Sequence, residues 1–161
     1  MSRILNKAEL TLILTFSVFA LISAFFIEYV LGHEPCNLCL LQRLPYLGVI
    51  LAFLLIFFID KFERKFFFIA TLFFLISLIL SIYHVGIEQG IIQESFVCSL
   101  EQNINSLSKE DILKSLKNKP VSCKDVNFTI FGFSLASINI ILSLTLSVIT
   151  LNKYLNYEKN K

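Results

Sequence analysis

Four of the 161 residues are cysteines, at positions 36, 39, 98 and 123. Cys36-Asn37-Leu38-Cys39 is a C-x-x-C. A disulfide across that spacing closes a very small ring and removes little loop entropy, so it makes a poor staple. It suits a reversible dithiol instead, whose thiolate a helix N-terminus or a cation can stabilise. Arg43 supplies a cation nearby. If the helix that follows reaches back to Cys39, the two residues stand at i and i+4 on one face. A guanidinium there stabilises a thiolate, or negative charge building up on an electron acceptor; the plainer role for Arg43 is snorkelling at a membrane boundary. Pro35 stiffens the approach to Cys36, while Pro45 favours a helix start close by and would disturb one already running through Leu41. Cys98 and Cys123 read equally well as a structural disulfide or as a bridge open to attack by another protein's thiolate. Zinc fits poorly, because a ribbon needs two close knuckles and 24 residues separate Cys98 from Cys123. No metal is expected.

The elements that must position these residues are set by composition. The chain is 56% hydrophobic and only 16% charged, against about 45–50% and about 25% in soluble domains, and its mean hydropathy is +0.75. This excludes a soluble globule and a disordered chain. With a net charge of +2 and no dense basic face, it also excludes a nucleic-acid binder. Apolar runs extend over Leu10–Ile27, Leu44–Ile59, Phe66–Ile87 and Val126–Asn152, and a membrane-crossing helix needs about 20 such residues. None alternates like a strand, and backbone amides in lipid must be satisfied internally. The expectation is an all-α integral membrane four-helix bundle, one domain over residues 1–161. Its helices fall near 9–30, 42–60, 66–86 and 130–151, with outer loops near 31–41 and 87–129. The first run is too long for a signal-peptide core and lacks an A-x-A site, so it is expected to remain as a helix.

Short loops rich in Lys and Arg stay cytoplasmic. Arg3, Lys7, Lys61, Arg64, Lys65, Lys153, Lys159 and Lys161 all fall on one side of a four-span layout. Both termini are therefore expected inside, and both cysteine-bearing loops outside, in an oxidising compartment. In the second loop, Ser108 and Asp111 form a helix-start pair before Ile112, Leu113 and Leu116, with a stop at Lys117-Asn118-Lys119-Pro120. A short surface helix is expected there. His84, at the end of the third run, reads first as an interfacial polar residue and only second as a catalytic one. No Ser-His-Asp set, phosphate-cradling glycine loop or carboxylate pair is present.

Three segments carry a resemblance over nearly the whole chain. Pro35-Cys36-Asn37-Leu38-Cys39-Leu40-Leu41-Gln42-Arg43, Tyr83-His84-Val85-Gly86-Ile87-Glu88-Gln89-Gly90, and Ser122-Cys123 followed by Phe131-Gly132-Phe133-Ser134-Leu135-Ala136 resemble the disulfide bond formation protein B (DsbB) family. The resemblance implies a multi-pass enzyme of the bacterial inner membrane. Such an enzyme reoxidises a soluble periplasmic DsbA-like thiol oxidase and passes two electrons to a membrane quinone, ubiquinone or menaquinone. By position, Cys36 and Cys39 would face the quinone beside Arg43, and Cys98 and Cys123 would exchange with the partner. Two other readings compete. One is a vitamin K epoxide reductase-like quinone reductase, whose C-x-x-C comes nearer the chain's end. The other is a non-catalytic membrane protein with structural disulfides.

Overall fold

The computed structural model describes residues 2–57, 63–93, 98, 122–124, 128–130 and 132–156. Four long helices carry the fold: α1 (Ser2–Tyr29), α2 (Asn37–Phe57), α3 (Glu63–Glu88) and α4 (Leu135–Asn156), with a two-stranded hairpin, β1 (Thr129–Ile130) and β2 (Phe133–Ser134), before α4. Each helix contains a stretch long and apolar enough to cross a membrane, with mean hydropathy between 1.8 and 2.5. Large apolar side chains such as Phe19, Leu55, Ile79 and Ile141 point outward, each more than 60% exposed. In water such a surface would aggregate; in a bilayer it is the solvated one. The chain is an all-α membrane four-helix bundle, and the short hairpin is the exception to helix among the described residues.

Two element boundaries differ from expectation, and both bear on the cysteines. The second helix begins at Asn37 rather than near 42 and runs straight through Pro45. Proline removes one backbone bond, to the carbonyl four residues earlier, but neighbouring helices make that loss tolerable inside a membrane bundle. The fourth helix begins at Leu135 rather than near 130, because Thr129 pairs with Ser134 and Ile130 with Phe133 across a tight turn. Gly132 makes the turn possible with φ of 83°, a conformation glycine adopts without steric cost. The surface helix expected over residues 108–120 lies outside the described residues.

The bundle holds by two kinds of contact. Phe66, Phe67 and Phe74 of α3 are fully buried and pack with Tyr46, Val49 and Ala52 of α2 and Leu146 of α4. Edge-to-face rings link Tyr46 to Phe74 and Phe53 to Phe66, the favoured aromatic geometry. Gly48 allows α2 to approach α3: a Cβ there would lie 2.7 Å from the Phe73 ring. Between these helices and α4 runs a polar network. The Tyr46 hydroxyl donates to Asn139 Oδ1 at 2.5 Å, Asn139 Nδ2 donates to Ser81 Oγ at 2.6 Å, and Ser143 Oγ donates to Ser77 Oγ at 2.9 Å. Such bonds act as interhelical glue where lipid offers polar groups no alternative. At the end away from the cysteines, Lys153 pairs with Glu9, tying α4 to α1.

Candidate active site

The C-x-x-C spacing coincides with a helix start. The Cys36 carbonyl accepts the Leu40 N–H at 3.2 Å, and the Cys36 sulfur accepts the Cys39 N–H at 3.3 Å. Cys36 is therefore the N-cap of α2, with its sulfur doing what a serine oxygen does at other caps. The positive end of the helix dipole points at the same sulfur. Cys36 is buried and Cys39 half-buried; both are free thiols, with their sulfurs 3.0 Å apart. The Cys39 thiol bonded to it holds the Cys36 thiol well below the ordinary range, at about 4, against the opposing pull of burial and with help from His84.

His84 reaches this sulfur from α3. Its Nε2 is 3.6 Å from Cys36 Sγ, and its Nδ1 is 3.2 Å from the side-chain amide of Gln42. Glu88, one turn further along α3, places Oε1 3.8 Å from the same Nε2. The Cys123 backbone also lies against this ring. Cys123 is joined to Cys98 by a disulfide with Cα atoms 5.9 Å apart. Both are buried, packed with Cys36, Leu38 and Ile87 and bordered by Cys39 and Tyr83. All four cysteines therefore belong to one cluster at one end of the bundle, although 58 residues separate Cys39 from Cys98.

Arg43 follows Cys39 by one turn on α2, as its spacing predicts. Its Nη1 donates to Glu28 Oε2 at 2.5 Å, and its guanidinium lies 5.0 Å from the centre of the Phe25 ring. Glu28 and Phe25 are one turn apart near the end of α1, so a second helix fixes the arginine. Cys36, Cys39, Arg43 and His84 line a cavity of about 440 Å³, whose other walls are mostly apolar and include Ala20, Leu21 and Leu142, with the exposed rings of Phe16 and Phe19 at its outer edge. A largely apolar cleft with a few convergent polar groups is the usual form of a small-molecule site.

A family model for the disulfide bond formation protein DsbB matches residues 6–152. The chain belongs to the DsbB family. It is also 33% identical over 150 residues to an uncharacterized protein, RP370, of Rickettsia prowazekii (strain Madrid E), an alignment covering 92% of this chain and 87% of the relative. No solved structure matches it. As a DsbB-family protein it is a multi-pass membrane disulfide oxidoreductase.

The geometry adds Glu28 to the DsbB site, a residue the sequence does not single out, and gives His84 and Gln42, which the sequence leaves without an assigned role, a place beside the cysteines. The three come from three helices and converge only in the folded bundle. The available signal was their type: ionisable or amide side chains at the ends of apolar runs, where burial needs a partner. His33 meets Phe128 with ring centres 5.0 Å apart and planes tilted by 53°, and also lines the cavity.

Proposed function

We propose that this protein carries electrons from a soluble periplasmic DsbA-like thiol oxidase, through its two cysteine pairs in turn, to a quinone dissolved in the bacterial inner membrane. The observation that carries the reading is the packing of the Cys98–Cys123 disulfide against Cys36, with Cys39 and Arg43 beside it on a largely apolar cavity. In this orientation the cysteine end faces the periplasm and both termini the cytoplasm. The clustering of Arg3, Lys7, Arg64, Lys65 and Lys153 toward the other end supports it.

The partner's thiolate attacks one sulfur of the Cys98–Cys123 disulfide, forming a mixed disulfide and releasing the other sulfur as a thiolate. The partner's second thiol then displaces the first bond, so the partner leaves oxidised and Cys98 and Cys123 are left as thiols. One of these attacks the Cys36–Cys39 disulfide at Cys36, the sulfur packed against them, and Cys39 departs as a thiolate next to Arg43. Resolution of that inter-loop bond restores Cys98–Cys123 and leaves Cys36 and Cys39 reduced. His84, 3.6 Å from Cys36 Sγ, is placed to accept or return a proton as this sulfur changes state.

A quinone supplies an acceptor for two electrons and two protons at a potential above that of the thiols. The residues present fit one: Phe16, Phe19 and Leu142 offer an apolar wall to its ring and tail. The Arg43 guanidinium, fixed by Glu28, offers donors where negative charge would grow. Giving up two electrons and two protons rejoins Cys36 to Cys39. The test is purified protein, a reduced DsbA-like partner and a water-soluble quinone, followed by quinone absorbance. Catalytic bleaching that needs all three supports the reading; partner oxidation with no change in the quinone overturns it.

A further inference from the structure

Cys36, Cys39 and His84 present three donor atoms that all lie within 4.8 Å of one another. The two sulfurs are 3.0 Å apart, and Cys36 Sγ is 3.6 Å from His84 Nε2. Around a tetrahedral zinc ion, with Zn–S of about 2.3 Å and Zn–N of about 2.0–2.1 Å, donors stand roughly 3.5–3.8 Å from one another. The spacing of Cys36 Sγ and His84 Nε2 already matches, and the sulfurs need to part by less than about 1 Å. Thiolate and imidazole donors favour zinc and other thiophilic ions over magnesium or calcium.

Glu88 Oε1 lies 3.8 Å from His84 Nε2, just outside the set of donors that all stand within 4.8 Å of one another. Gln42 holds the far side of the imidazole at Nδ1. Glu34 and Glu88 both line the cavity through which an ion would arrive.

We propose that the reduced form of this site binds one thiophilic metal ion, Zn²⁺, through Cys36 Sγ, Cys39 Sγ and His84 Nε2, and that the bound ion arrests thiol–disulfide exchange. Each metal–sulfur bond takes the place of any S–H bond, whose proton goes to solvent, and no electron moves. Forming the Cys36–Cys39 disulfide removes two of the three ligands, so the site exists only in the reduced state. Zinc in the outer compartment therefore acts as a reversible brake on the electron-loaded enzyme. The inference stands on donor geometry alone and is independent of the identity of the electron acceptor.

Cobalt(II) is the probe, because thiolate ligation gives a near-ultraviolet charge-transfer band and tetrahedral geometry gives strong visible bands. The full-length Cys98→Ser/Cys123→Ser variant in detergent keeps only the proposed sulfur ligands. Reduced with a phosphine and then freed of it, the variant should take up one Co²⁺ per chain with both signatures, and Zn²⁺ should displace it. The same protein oxidised at Cys36–Cys39 should show neither. His84→Ala should weaken binding about tenfold or more, while Cys36→Ser should remove most of the charge-transfer band. Absence of the band in the reduced protein, an equal band in the oxidised protein, or unchanged affinity in His84→Ala would each overturn the proposal. The reduced-against-oxidised comparison requires no further variant, so misfolding of His84→Ala does not leave the question open.

Discussion

The sulfur of Cys36 serves the fold and the chemistry from one position, capping α2 while lying 3.0 Å from Cys39 Sγ. Its lowered pKa, about 4, has a direct consequence for reactivity. A thiol with a lowered pKa keeps its thiolate at every pH above that value. Alkylation of Cys36 by iodoacetamide, read by mass spectrometry in a chelator-containing buffer, should therefore be nearly flat from pH 5 to 8. In the unfolded chain the same rate should fall about tenfold per pH unit below neutrality. Glu28 makes a second case at this scale. It holds Arg43 by an ion pair at 2.5 Å, so Glu28→Ala should free the guanidinium and raise KM for a water-soluble quinone by roughly tenfold, with a smaller effect on kcat. Glu28→Gln keeps an acceptor oxygen and should recover part of that loss.

Among the elements, α2 connects sequence to site. The four helices were legible because hydropathy over about 20 residues is a strong signal, and the C-x-x-C and Arg43 were legible from their spacing along one chain. The start of α2 was not: Pro45 pointed to a beginning near 42, whereas the cap at Cys36 and the surrounding helices carry the helix back to Asn37. The hairpin over 129–134 was hidden too, since its apolar residues merge with those of α4 and only Gly132 marks the turn. Pairings between helices leave no trace in the spacing of a single chain, which is why Glu28, and the contacts of His84 with Cys36 and Gln42, emerged only with the fold. The close approach of α2 to α3 at Gly48 is testable. A leucine there must displace the Phe73 ring, which would lie 2.7 Å from its Cβ, and overpacking of this kind costs about 1–3 kcal/mol. Gly48→Leu should unfold at a lower temperature in detergent than the parent protein, as read by circular dichroism.

For the molecule as a whole, the two ends of the bundle differ in kind. One gathers all four cysteines, His84 and the Glu28–Arg43 pair; toward the other lie Arg64, Lys65 and the Glu9–Lys153 pair. The proposed orientation predicts that a membrane-impermeant maleimide, added to spheroplasts after reduction, labels the cysteine end without permeabilisation. Labelling that appears only after the inner membrane is opened would reverse the topology. The central claim is narrower, namely that Cys36 and Cys39 themselves hand electrons to a quinone. Its most direct measurement uses the fully reduced Cys98→Ser/Cys123→Ser variant, mixed with one equivalent of a water-soluble quinone in the absence of any partner. The account predicts loss of one quinone per chain, formation of the Cys36–Cys39 disulfide, and no reaction once Cys39→Ser is added. An unchanged quinone spectrum, or bleaching that survives Cys39→Ser, would contradict it.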